Sequence, residues 1–319
     1  MDELARLLQE QDGVVGRAQA LAAGATRTSI ARALRRREWV AVHPGVYVDH
    51  TGPLAWQQRA WAAVLACGPA ALYGESARRA HEGPGRRDAD DAVIHVAVDR
   101  DRRVTEPSGA RIHRVAGFAD RVQWNLGPPR IRYDDTILDL ASQARDDLAA
   151  IAVLADACGA RRTTAGRLLG RLDERARVPR RAFLRGVLAD VAEGTCSVLE
   201  HGYLTRVERP HGLPAGERQA VRVTNGTRAY LDVRYASLGL VVELDGWLFH
   251  GSAAAHDRDL QRDLDTAARE AGTTLRLGFG QVLARGCATA LAVAAVMQRL
   301  GWDGAPTPCP QCGVLDEAG

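Results

Sequence analysis

Three carboxylates gather in one short stretch, Tyr230 to His250, which reads Y-L-D-V-R-Y-A-S-L-G-L-V-V-E-L-D-G-W-L-F-H. In its first half Ala229, Leu231, Val233 and Tyr235 alternate with Arg228, Tyr230, Asp232 and Arg234; in its second half Leu240, Val242 and Leu244 alternate with Val241, Glu243 and Asp245. Period-2 alternation marks half-buried strands. If Ala236 to Gly239 form a four-residue hairpin loop, Tyr235 faces Leu240 and Asp232 faces Glu243. Like charges directly opposite on a sheet are destabilising, and a bound cation would remove that penalty. Arg228 or Arg234, on the same face as Asp232, offers it a structural partner instead. His250 titrates near neutral pH, so it could move a proton or simply pack.

These acids need a scaffold, and the flanking sequence supplies one. Ser197 to about Val207 reads as a helix with Val198, Leu199 and Leu204 apolar. Glu200 stands three residues after Ser197, a spacing that also fits a capping box. Ala220 to Thr224 is a strand, and Asn225-Gly226 is a strong two-residue hairpin signal. Asp257 to Ala271 is a helix with Leu260, Leu264 and Ala268 on one face, ended by Gly272. Thr273 to Leu277 is a strand and Ala288 to Leu300 a closing helix. A meander followed by a crossover to another strand predicts a mixed sheet flanked by helices.

That order, with acids on neighbouring strands, resembles the PD-(D/E)XK nuclease fold. More narrowly it is similar to the uncharacterised family allied to the very-short-patch-repair (Vsr) endonucleases. The resemblance spans residues 195–302. It rests on Ser197-Val198-Leu199-Glu200, Leu231-Asp232-Val233, Val242-Glu243-Leu244-Asp245-Gly246 with His250, Asp259 with Arg262-Asp263, and Leu275-Arg276 with Gln281-Val282. It implies a restriction-endonuclease-like αβββαβ domain that hydrolyses DNA phosphodiester bonds with Mg2+ or Mn2+. Asp232 and Glu243 would be the primary metal ligands, joined by Glu200 and the Leu244 carbonyl. Magnesium suits a few carboxylates plus waters, and it supplies the Lewis acidity such hydrolysis needs. The family pattern expects a lysine two residues after the second acid, where this chain has Asp245. All 42 basic residues are arginine, so no lysine amine is available anywhere. The short-patch-repair relatives also lack that lysine and use a histidine nearby. The third catalytic role therefore falls to Asp245, His250, Arg262 or Gln281.

The first 50 residues read as helix, short helix, glycine turn, helix and hairpin. Leu4, Leu7 and Leu8 share one helical face, Gly13 stops that helix, Gly24 turns the chain and Thr26 caps the third helix. Trp39, Val40, Val42, Val46 and Tyr47 form a hairpin turning at His43-Pro44-Gly45. This is a winged helix-turn-helix pattern, whose third helix would enter a major groove. Arg27, Arg32, Arg35, Arg36 and Arg37 on and after that helix could contact phosphates or guanine edges, or form a solvated face. Gly13-Val14-Val15, Ala23-Gly24-Ala25-Thr26, Ile30-Ala31-Arg32-Ala33-Leu34 and Trp39 through Tyr47 resemble the winged-helix domain of the AbiEi family, antitoxins of type IV toxin–antitoxin systems. That resemblance implies DNA binding and autoregulation; a cognate toxin or a repair factor is the expected further partner.

Residues 51–193 read as a mixed helical and strand connecting domain. Strands are expected at Val93 to Val98 and Ala110 to Val115, and helices at Leu54 to Ala66, Glu75 to His81, Asp134 to Ala144, Leu148 to Ala157, Thr163 to Leu172 and Arg180 to Val191. No phosphate loop, G-x-S-x-G or H-E-x-x-H occurs there. Residues 303–319 read as a flexible, reduced tail carrying Cys309-x-x-Cys312. One such knuckle is half of a zinc ribbon, so zinc on Cys309 and Cys312 is not the expectation unless a distant His or Cys, or a second copy, completes the site.

The overall expectation is an α/β chain, α+β in sum. Hydrophobic residues make up 46% and charged residues 25%, an ordinary globular balance, and the net charge of +3 argues for no partner. No apolar run reaches membrane-spanning length. The amphipathic N-terminus is unlike a signal peptide and the six cysteines form no secreted framework, so a cytoplasmic location is expected. Two functions follow: a DNA-directed endonuclease, or a non-catalytic DNA-binding regulator of the antitoxin type with a degenerate nuclease fold.

Overall fold

The computed structural model describes residues 3–84, 92–193, 197–224, 227–245, 274–310 and 312, together with Asp257, Arg258, Leu260, Gln261 and Leu264. The chain is α+β and divides into two compact units, Met1–Leu140 and Ala141–Gly319. No helix among the described residues is long and apolar enough to cross a membrane.

The first unit begins with α1 (Glu3–Glu10), β1 (Val14–Gly16), α2 (Arg17–Ala22), α3 (Arg27–Arg35), β2 (Val40–His43) and β3 (Val46–Val48). The strands form an antiparallel sheet in the order β1-β3-β2. β1 was not foreseen; three residues are too few to show alternation. Thr26 caps α3 by accepting from the Ser29 N–H at 3.0 Å, while Ser29 Oγ accepts from the Thr26 N–H at 2.8 Å. Val15, Ala20, Ile30 and Tyr47 make the core of this segment, with Leu4, Leu8, Leu34 and Trp39 against it.

The same unit continues with α4 (Trp56–Cys67), β4 (Ala71–Leu72), α5 (Gly74–Glu82), β5 (Ile94–Asp99), β6 (Ala110–Val115), α6 (Phe118–Arg121), β7 (Val122–Gln123), β8 (Arg130–Ile131) and α7 (Tyr133–Ser142). A five-stranded sheet runs β6-β5-β4-β8-β7. One side of α4 covers this sheet through Trp56, Ala60, Ala63 and Val64. Its other side, Trp61 and Ala62, packs on Val14, Val46 and Val48. The first fifty residues and the sheet thus share one helix, which explains why they form one unit.

The second unit opens with α8 (Asp147–Gly159), α9 (Ala165–Glu174), α10 (Arg181–Glu193) and α11 (Ser197–Gly202). A π-helical turn at Tyr203–Glu208 and a 3-10 turn at Arg209–His211 prolong α11. Then follow β9 (Glu217–Thr224), β10 (Thr227–Tyr235), β11 (Leu240–Leu244), β12 (Thr274–Leu277), a π-helical turn at Gly280–Ala284 and α12 (Gly286–Arg299). The sheet order is β12-β11-β10-β9, antiparallel except for the parallel β11–β12 pair. The β10–β11 loop spans residues 236–239 and closes at Gly239, whose φ of 62° favours glycine. The helix expected over 257–271 lies largely outside the described residues.

Candidate functional site

The register of the β10–β11 hairpin is the one its loop length predicts. Tyr235 pairs with Leu240, Arg234 with Val241 and Val233 with Val242, so the next step sets Asp232 opposite Glu243. Val233, Tyr235, Val242 and Leu244 are buried on the other face, whereas Asp232 and Glu243 are half-buried. The alternation of the sequence is therefore the physical device that turns both acids to the same side.

Asp232, Glu243, Leu244, Asp245 and Arg276 line one open pocket of about 420 Å3. The Leu244 N–H donates to Asp232 Oδ2 at 2.7 Å. β12 lies parallel to β11 with Arg276 beside Glu243, and Arg276 Nε stands 3.5 Å from Glu243 Oε2. Burial pushes the Asp232 carboxyl above the usual carboxylate range; the charges of Glu243 and Asp245 push the same way, and the Leu244 N–H opposes them. Arg234, offered by sequence as a structural partner for Asp232, instead stands 3.5 Å from Glu217.

The structure does not bring every expected residue to this pocket. Glu200 sits half-buried on α11 and is not among the lining residues. Gln281 is fully buried. Its Oε1 accepts from the Gly278 N–H at 3.1 Å and its Nε2 donates to the Asp257 carbonyl at 3.2 Å, so this amide joins two chain segments. His250 and Arg262 lie outside the described residues, as do Gly246, Asp259 and Asp263 of the nuclease-like pattern. In the first unit Arg27, Arg32, Arg35, Arg36 and Arg37 are all exposed, with Arg36 Nη1 3.6 Å from Glu38.

Two features go beyond what the sequence located. A buried network holds β10 to the helical turn beneath it. Tyr203 and Tyr235 hydroxyls lie 2.9 Å apart, Tyr235 donates to Glu208 at 2.8 Å, and Arg218 donates to Glu208 at 2.8 Å. Burial raises both tyrosine pKa values, so they remain neutral donors. The second feature is that Cys309 and Cys312 meet Cys287 and His211, more than twenty and a hundred residues away by chain. Among the described residues this is the group of His, Cys, Asp and Glu whose ligand atoms all lie within 4.8 Å of one another. The isolated Cys287 and His211 carry no local pattern that could have announced it.

No family model matches the chain, and no curated protein does. Among solved structures it is similar to the RV2827C protein from Mycobacterium tuberculosis, with 18% identity and a TM-score of 0.37 over 60% of this chain and 78% of that one.

Proposed function

We propose that this chain is a Mg2+- or Mn2+-dependent DNA endonuclease. In this reading the first fifty residues act as a winged helix-turn-helix that holds the duplex, and the β9–β12 sheet with its helices is a restriction-endonuclease-like domain. The observation that carries the proposal is the pocket shared by Asp232, Glu243 and Asp245. Acids on adjacent strands of a sheet repel one another, and a bound cation would offset that repulsion while putting all three to use.

The donor set fits a hard divalent cation. Asp232 and Glu243 supply carboxylate oxygens, and one-sided carboxylate coordination is how magnesium is usually held. When bound, the cation would supply Lewis acidity toward a phosphodiester and acidify water. The Leu244 N–H fixes one Asp232 oxygen, which orients the other. Asp245, in the position of the family's lysine, cannot stabilise negative charge; it is suited to accept a proton, a role His250 could share. Arg276, on the pocket wall and largely exposed, is the cation placed to meet a phosphate oxygen. The exposed arginines of α3 would contribute salt-sensitive affinity for the DNA backbone.

The second reading is a DNA-binding regulator of the AbiEi type without catalysis, favoured by Asp245 standing where a lysine is expected. A cleavage assay on single-stranded, duplex, mismatched and branched DNA with Mg2+ or Mn2+ separates the two. Metal-dependent cutting that disappears in Asp232→Ala and Glu243→Ala supports the endonuclease. DNA binding without cutting leaves the regulator, and equal cutting by the variants overturns the assignment of the acids to catalysis.

A further inference from the structure

We propose that His211, Cys287, Cys309 and Cys312 form a structural zinc site that clamps the C-terminal tail onto the second unit. The site is separate from the carboxylate pocket, and it stands whether or not that pocket cuts DNA.

The geometry is that of one tetrahedral ion. Cys287 Sγ and Cys309 Sγ are 3.5 Å apart, Cys309 Sγ and Cys312 Sγ 3.7 Å, and Cys312 Sγ and His211 Nε2 3.5 Å. Zinc bonded at about 2.3 Å to sulfur and about 2.0–2.1 Å to nitrogen sets neighbouring sulfurs roughly 3.8 Å apart and sulfur and nitrogen roughly 3.6 Å apart. The observed spacings fall within about 0.3 Å of those values. They are far too long for a disulfide, whose sulfurs lie about 2.05 Å apart. They are also too compact for a two-iron cluster, since all four donor atoms fall within 4.8 Å of one another.

The surroundings prepare the ligands. His211 is 1% exposed, and its Nδ1 lies 2.9 Å from the Val207 carbonyl. A carbonyl only accepts, so Nδ1 carries the proton and Nε2 presents its lone pair to the three thiols, the usual arrangement behind a metal-bound histidine. The Cys312 N–H donates to the Cys309 carbonyl at 2.9 Å, closing the tight C-x-x-C turn. The Thr307 N–H donates to the His211 carbonyl at 2.9 Å, so the residues leading into the C-x-x-C are already guided to the site. The donors come from the 3-10 turn that ends the α11 segment, the first turn of α12, and the tail. Three thiolates and an imidazole are soft donors that select zinc over magnesium, and four protein ligands leave no open position for catalysis. The role is a cross-link.

The test is elemental analysis of the full chain, expressed in zinc-supplemented medium and purified without chelator. One zinc per chain is expected. Cys309→Ser and Cys312→Ser should lose nearly all of it, while Cys158→Ser, outside the cluster, should keep it. Cobalt(II) substitution should give the intense visible bands of tetrahedral thiolate coordination. If serine variants fail to fold, His211→Cys should still bind one zinc, because it preserves four donors. On the wild type, a strong chelator should release the zinc and lower the melting temperature. A chain that binds no metal, that contains iron in place of zinc, that carries a Cys309–Cys312 disulfide as purified, or that retains full zinc in both serine variants would overturn the proposal.

Discussion

The Asp232 carboxylate accepts a hydrogen bond from the Leu244 N–H across the β10–β11 pair, at 2.7 Å. One N–H is a small return for a half-buried carboxylate flanked by Glu243 and Asp245, which push its pKa up together with burial. The folded state therefore disfavours the ionised form. Its penalty is full above the raised folded pKa and vanishes as pH falls below the unfolded value. Without divalent cations, Asp232→Asn should melt above the wild type at neutral pH, by about 1 kcal/mol or less after solvent screening. The gap should narrow on acidification toward pH ~4, the ordinary Asp range. Adding Mg2+ should narrow it too, by stabilising only the wild type. Thermal unfolding with and without Mg2+ checks this; an Asp232→Asn variant stabilised equally by Mg2+ contradicts a metal role for the carboxylate.

On the endonuclease reading, cleavage should depend on the paired acids more than on any other side chain of the pocket. Asp232→Asn and Glu243→Gln keep shape while removing charge, so the fold should persist. Losing a primary ligand removes a few kcal/mol of charge stabilisation, hence a rate loss of roughly a hundredfold or more. DNA affinity, measured by fluorescence anisotropy with Ca2+ in place of Mg2+, should change little. A variant that binds DNA poorly but cuts what it binds at the wild-type rate would assign these acids to binding.

The arginines on and just after α3 make a different prediction. Arg27, Arg32, Arg35, Arg36 and Arg37 are exposed, and each phosphate contact contributes about 0.9 to the slope of log affinity against log salt. Arg32→Ala with Arg35→Ala should weaken duplex binding and reduce that slope by up to roughly two. Arg36 stands near Glu38, so Arg36→Ala should matter less. Binding titrations across a salt series provide the readout. An unchanged slope would return this helix to the status of a solvated face.

Much of this architecture is legible in the sequence, and the reasons are local. The hairpin register follows from alternation and a four-residue loop, and Tyr235 does face Leu240. Thr26 announces a helix start because capping is a short-range hydrogen bond. What stays hidden is long-range. The strands Ala71–Leu72 and Arg130–Ile131 are two residues each, too short for periodicity; Leu72 finds its core with α4 and β5, and Ile131 finds its core with Ala71, Phe118 and Val122. Gln281 fits a catalytic motif by spacing, yet its amide is buried between Gly278 and Asp257. Cys309 and Cys312 show half of a cluster whose other half, Cys287 and His211, arrives only through folding.

The first unit should be acid-sensitive through a pair that sequence leaves far apart. His95 Nδ1 and His113 Nε2 lie 2.8 Å apart on the parallel strands β5 and β6, and Tyr73 packs on the His113 ring with centroids 4.6 Å apart. One nitrogen of such a pair must accept, so at least one ring must be neutral. Burial lowers both pKa values, with Arg111 adding to the effect on each and His95 adding to it on His113; Glu106 and Asp139 oppose it weakly at His113. Burial lowers His43 as well. A histidine whose folded pKa lies below its unfolded value, about 6.5, contributes its full stability above that value. The contribution is lost as pH falls through the folded pKa, because the unfolded chain takes up the proton first. Stability of this unit, followed by hydrogen exchange at β5 and β6, should therefore drop as pH falls below about 6.5. The slope should stay below about 1.4 kcal/mol per pH unit for each proton, reduced by solvent screening. His113→Gln keeps a hydrogen-bonding amide without the titration and should flatten that slope, leaving the dependence due to His43. An undiminished slope in His113→Gln would place the acid sensitivity elsewhere in the unit.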